Sequence, residues 1–198
     1  MFARRDIERF LREVDRSLKQ PTSVIVIGGT AATLRYGATR ATQDIDTLTN
    51  VSEALAKAVS MARTKTGLSI PIQRVTIADE PENYESRLER VLTDLKHLRV
   101  LVPERHDLVL MKAMRAYEHD IQVISEIHAH APLSLEILEY RLLNEMSPIG
   151  PPARIRQNFL LVIEHLFPTE VDQVERRIRS FRDPTALKEG RQSHCSDA

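Results

Sequence analysis

Apolar residues at Phe2, Ile7, Phe10, Leu11, Val14 and Leu18 recur at steps of three and four with charges between them. That spacing predicts an amphipathic helix ending near Pro21. The period then changes: Ser23-Val-Ile-Val-Ile27 is a β-branched run of the kind that forms a buried strand, and it stops at Gly28-Gly29. A short helix is expected through Ala31, Ala32 and Leu34, capped by Thr30 and stopped at Gly37. Asp44-Ile-Asp-Thr-Leu-Thr49 alternates with period two and predicts a second strand. A helix over 52–66 and a third strand from Ile72 to Ile77 follow.

Arg99-Val-Leu-Val102 has the character of a strand, whereas 87–95 fits either a strand or a helix. Asp107 through Met114 predicts a helix with Asp107 as its N-cap. Ile121, Ile124 and Ile127 carry helical spacing on to about residue 129, before Pro132. Further helices are expected over 133–146, 154–167 and 170–181, separated by prolines. Strands are thus confined to the first half, which predicts an α/β or α+β core with a helical C-terminal part. The expected division is a core domain over 1–130, a helical extension packed on it over 131–184, and a flexible polar tail over 185–198.

Composition narrows the class. The 198 residues are 42% hydrophobic, enough to bury one domain with a helical extension. Lys+Arg and Asp+Glu each total 28, so the basic excess of a non-specific duplex-DNA binder is missing and no specific DNA binding is expected. A local patch for RNA or a nucleoside triphosphate (NTP) remains compatible with that balance. The single cysteine, Cys195, excludes a disulfide framework and a cysteine-rich zinc site, and suits a reducing cytosol. The charged start of the chain lacks the apolar core of a signal peptide, and no apolar run reaches membrane-span length. The expectation is a cytoplasmic protein without membrane association.

The chemistry concentrates between residues 28 and 46. Two carboxylates at i and i+2 on a strand, Asp44 and Asp46, project from one face. Like charges so close raise each other's pKa unless a cation lies between them. Mg²⁺ (or Mn²⁺) suits that place, because it prefers a few carboxylates completed by substrate phosphates. Gly28-Gly29 opening a helix supplies the complement, backbone N–H groups that a triphosphate can approach. Together these make a site for in-line attack at phosphorus. Asp-x-Asp alone is more often a solvated strand end, and Gly-Gly more often a plain turn; the ordered combination with Thr30 and Arg40 carries the reading.

The stretch Gly28-Gly-Thr-Ala-Ala-Thr-Leu-Arg-Tyr-Gly-Ala-Thr-Arg-Ala-Thr-Gln-Asp-Ile-Asp46 resembles the signature of minimal nucleotidyltransferases, notably AbiE-type toxins of toxin–antitoxin systems and related bacterial nucleotidyltransferase-like proteins. A second block, Pro103-Glu-Arg-His-Asp-Leu-Val-Leu-Met-Lys112 followed by His119-Asp120-Ile121, is similar to the family's downstream element. The resemblance covers about residues 20 to 130. It implies a mixed sheet flanked by helices and Mg²⁺-dependent transfer of a nucleoside monophosphate from NTP to an RNA or protein acceptor, with a cognate antitoxin protein as a further partner. It implies Gly28 and Gly29 as the phosphate-side turn, Asp44 and Asp46 as metal ligands, Lys112 as a triphosphate contact and Asp120 as an assisting acid. Gly29 stands where many members carry serine, so Thr30 would have to substitute, with Arg40 steadying a phosphate. Val123 stands where a second downstream acid is common. Many members carry a third strand carboxylate, for which Asp79 and Asp94 are the candidates here. An incomplete acid set makes a catalytically weak binding module the alternative.

Other residues have plainer readings beside their functional ones. Lys112, flanked by Leu108, Leu110, Met111 and Met114, has the pattern of a snorkelling surface lysine. Asp120, eight positions on, fits a shared pocket or an ion pair. Arg40 fits a surface position equally well. His128 and His130 at i, i+2 on a helix point apart, against a zinc site. Arg105-His106-Asp107 lacks every companion motif of a kinase loop. The basic stretch from Glu175 to Arg182 fits a solvated helix face or an RNA-phosphate contact.

Overall fold

The computed structural model describes residues 1–76, 79–146 and 152–181. Helix α1 (Arg4–Ser17) buries Ile7, Phe10, Leu11 and Val14 completely, as its periodicity requires. Phe2 is not part of it. The Phe2 backbone instead exchanges hydrogen bonds with Thr42, N–H to O distances 2.7 and 3.1 Å, and so ties the chain start to the segment before Asp44. Strand β1 (Thr22–Ile25) leads into α2 (Gly28–Tyr36), which ends at Gly37 in the left-handed region (φ 71°), as expected of a glycine stop. A Cβ on Gly37 would lie 2.9 Å from the His130 ring, so close packing adds to the conformational demand.

Strand β2 (Ile45–Thr47) precedes α3 (Glu53–Thr66), capped by Ser52, and strand β3 (Ile72–Arg74). The strand expected to reach Ile77 stops at Arg74, and Ile77 lies outside the described residues. The ambiguous segment over 87–95 resolves into strand β4 (Glu89–Val91) after a 3-10 turn, followed by a tight turn with Leu92 at φ 50° and strand β5 (Leu98–Val102).

β1 and β5 pair in parallel and β4 pairs antiparallel with β5; β2 and β3 form a parallel pair. An antiparallel bridge between Val26 and Thr47 joins the two groups, supported by Ile27 N–H to Asp46 O (2.9 Å) and Leu48 N–H to Ile25 O (2.9 Å). The strands therefore run β4-β5-β1-β2-β3 across one mixed array. This is a mixed α/β fold of nucleotidyltransferase-like type.

The remaining helices are α4 (Arg105–Ala113), α5 (Glu118–His130), α6 (Leu135–Asn144), α7 (Ala153–Leu166) and α8 (Val171–Ser180). The helical pattern from 107 to 129 is broken between α4 and α5, where Ala116 takes φ 48° and donates its N–H to the Lys112 carbonyl at 3.0 Å. Asp107 is not the N-cap of α4. Glu104 has that role, accepting from His106 N–H at 3.0 Å, and Asp107 is freed for ion pairing. One apolar core runs from α1 and the sheet through Leu138, Phe159 and Ile163 to Val174 and Ile178. No helix among the described residues is long and apolar enough to cross a membrane.

Candidate active site

Alternation along β2 sends Ile45 and Thr47 into the core, so the flanking Asp44 and Asp46 emerge together on the opposite face, each half-buried. A single side-chain amide lies between them. Gln73 on β3, the register partner of Asp46, donates from Nε2 to Asp44 Oδ2 at 3.0 Å and to Asp46 Oδ1 at 3.2 Å. Burial and the neighbouring Asp46 charge push the Asp44 carboxyl above its usual range. The Asp44 backbone is fixed from below: its carbonyl accepts from Thr30 Oγ1 at 2.8 Å and from Thr42 Oγ1 at 3.1 Å.

The glycine bend faces Asp46. Gly28 adopts φ 67°, and a Cβ there would stand 3.2 Å from Asp46 Oδ2, so any side chain would crowd the carboxylate. Helix α2 begins at this residue with Ile27 as N-cap and no side-chain cap. Its first N–H groups have no intrahelical acceptor, and the positive end of the helix lies beside Asp46. Thr30 is not the cap that the sequence suggested. It is buried, and its hydroxyl is committed to the Asp44 carbonyl.

Across a cleft of about 100 Å³ from Gly28 and Asp46 stand Asp79, Met111, Lys112 and Arg115. Lys112 is 4% exposed, which overturns the snorkelling reading. Burial lowers its pKa, while the Asp120 carboxylate, 3.0 Å away, favours the charged form. The two residues meet although the helix between them is broken: the turn at Ala116 folds α5 back on α4 and makes the pair interhelical. Asp120 Oδ1 also accepts from Arg115 at 3.2 Å. Its buried Oδ2 makes no hydrogen bond among the described residues, with His119 Nε2 3.8 Å away.

Gly28, Asp46 and Lys112 thus meet in one cleft, with Asp44 joined through Gln73 and Asp120 through Lys112. Arg40 does not line it; its side chain is exposed and makes no hydrogen bond or ion pair among the described residues. Of the two candidate third acids, Asp79 is at the cleft and Asp94 is elsewhere, paired with Arg12 on the surface. Val123 is buried in the core. His128 and His130 serve separate partners: His128 accepts from Leu133 N–H and meets the Phe167 ring edge-on, and His130 packs against Gly37. In α8, Arg177 is held by Glu139 and Arg179 by Glu175. A larger groove of about 630 Å³ runs between Leu18 and Met61 and contains none of these acids.

Sequence reasoning passed over Gln73, Thr42 and Arg115. Nothing local distinguishes a glutamine on a short strand, and only the β2–β3 register brings it to the acids. Thr42 was visible within the motif, but its carbonyl contact was not.

The mixed sheet, the acid pair on its β2 side and the glycine-opened helix agree with the class that the family comparison gives. The chain belongs to a family described as "Nucleotidyltransferase of unknown function (DUF6036)", which it matches over residues 5–165. No curated protein and no solved structure matches it significantly.

Proposed function

We propose that this chain transfers a nucleoside monophosphate from an NTP to an acceptor hydroxyl on RNA or protein, with Mg²⁺ (or Mn²⁺) held by Asp44 and Asp46. The observation that carries the reading is the pair of carboxylates bridged by one amide, with Asp46 of the pair set against the Gly28 bend. The donor set fits a hard divalent cation: two carboxylates on one face, the first carrying a raised proton affinity that such an ion would relieve. When bound, the ion neutralises charge developing on the phosphate oxygens.

The chain's own groups bind and orient. Free N–H groups at the start of α2 donate to phosphate oxygens, and Lys112 and Arg115 place positive charge on the opposite wall. Thr30 and Thr42 hold the Asp44 backbone and act as positioning residues. In the transfer, the acceptor oxygen bonds to the α-phosphorus and the bond to the bridging oxygen breaks. Pyrophosphate leaves with the electron pair and the hydroxyl proton is released. The acceptor class, and a cognate antitoxin as partner, rest on the resemblance of the Gly28–Asp46 motif to AbiE-type toxins.

Incubation with labelled NTPs, Mg²⁺ and cellular RNA or protein tests this. Label transfer that disappears in Asp44→Ala supports the enzyme. Mg²⁺-dependent NTP binding without transfer to either acceptor favours a catalytically weak binding module, a second reading supported by the core position of Val123 and by the neutralisation of Lys112 by Asp120.

A further inference from the structure

We propose that Gln73 is the third protein ligand of the cation, presenting its amide oxygen Oε1 to the ion that Asp44 and Asp46 share. The inference rests on the cation site proposed above and adds a residue that neither the acid motif nor the glycine motif contains.

The position comes from the sheet. Gln73 is paired in register with Asp46 on the adjacent parallel strand, so both side chains leave the same face one strand spacing apart. Its neighbours cannot take this role: Ile72 is apolar, and Arg74 is the register partner of buried Thr47, facing away from the acids. The amide already touches both acids, with Nε2 3.0 Å from Asp44 Oδ2 and 3.2 Å from Asp46 Oδ1. Without a cation, two adjacent carboxylates need a donor to offset their repulsion, and the amide N–H₂ supplies two hydrogens, one for each acid.

An amide presents a donor and an acceptor at nearly the same place. The terminal torsion of glutamine is broad and roughly two-fold, so rotating it by about 180° exchanges Nε2 for Oε1 with little movement of the chain. Gln73 is exposed, and its amide nitrogen bonds only these two acids among the described residues, so no packing opposes the rotation. A neutral carbonyl oxygen is an ordinary ligand for a hard divalent ion. The consequence for specificity is electrostatic. Two carboxylates and an amide leave the protein ligand set at −2, where a third carboxylate would make it −3, so the substrate's phosphates contribute more of the binding.

Mn²⁺ binding to the full chain, followed by the loss of the free-ion electron paramagnetic resonance signal, tests the assignment without any turnover. Wild type should bind the ion, and Asp44→Asn with Asp46→Asn should not. Gln73→Met, which keeps length and removes the oxygen, should weaken binding about tenfold or more, and Gln73→Glu should tighten it by a similar factor, because affinity follows ligand number and charge. Circular dichroism should report an unchanged fold for both, the residue being exposed on an edge strand. Equal or tighter binding by Gln73→Met would make the amide a placeholder that the ion displaces, overturning the proposal while leaving the acid pair intact. Failure of wild type to bind Mn²⁺ with or without NTP would remove the cation site itself, and this proposal with it.

Discussion

At the scale of single residues, the acid pair carries a cost in stability at neutral pH. The folded protein holds the Asp44 proton more tightly than the unfolded chain does, because burial and Asp46 disfavour the charged form. This group's contribution is most favourable below the unfolded pKa and is lost as pH rises through the raised folded value. At neutral pH ionised Asp44 therefore opposes folding. Asp44→Asn is expected to raise Tm at pH 7 by about 1–2 °C, a modest gain because the site is open to solvent, while eliminating the proposed cation binding. Melting curves at pH 7 and pH 4 check this, since the advantage of the variant should shrink at the lower pH. If the proposed cation binds there, proton and cation would compete for the same oxygens, and Mn²⁺ affinity should fall as pH drops into the carboxylate range. Gly28 permits no such trade: alanine would be strained at φ 67° and would crowd Asp46 Oδ2.

Among the elements, the connection between α1 and β5 decides how the sheet is held. Asp15, near the end of α1, accepts from the N–H groups of His97 (2.7 Å), Leu98 (2.7 Å) and Lys96 (3.2 Å) where β5 begins. Burial alone would raise its pKa, but these three backbone donors outweigh it and hold the carboxyl below its ordinary value. The stabilisation is present above the unfolded pKa and is lost as pH falls through the folded one. Asp15→Ala strands three N–H groups and should cost about 3 kcal/mol in urea denaturation at pH 7, with a smaller penalty near pH 3. Since β5 is the central partner of β1 and β4, the damage should extend to both strands and be visible in their amide exchange.

Over the whole molecule, the helical C-terminal part and the sheet with its helices are joined by charge as well as by apolar packing. Asp107, fully buried on α4, receives Arg87 (2.8 and 3.0 Å) and Arg141 of α6 (2.7 Å). Arg141 also reaches Glu104, and Arg87 reaches Glu145. Burial works against ionised Glu104, yet the bonds from His106 and Arg141 hold its pKa at about 2, so its ion pair persists in mild acid. Asp107→Ala leaves two arginines without their shared acid and should cost about 3–5 kcal/mol, measured by chemical denaturation. Truncation after residue 130 removes Leu138, Leu142, Phe159, Val162 and Ile163, all completely buried in the common core. The 1–130 fragment is accordingly expected to lose cooperative thermal unfolding and to bind a hydrophobic dye.

The local patterns determined much of this protein by themselves. Helical spacing, β-branched runs and glycine stops depend on near neighbours, so α1, β1, the Gly37 stop and the two-residue alternation that exposes Asp44 and Asp46 together could be read directly. Tertiary structure decided what depends on pairing and return of the chain. Thr30 became a brace for Asp44 instead of a cap, and Glu104 displaced Asp107 as the cap of α4. Lys112 met Asp120 through a broken helix, and Gln73 reached both acids through strand register. The physical reason is common to all four: a hydrogen bond or ion pair between distant residues takes its strength from burial and geometry, and no sequence interval encodes either.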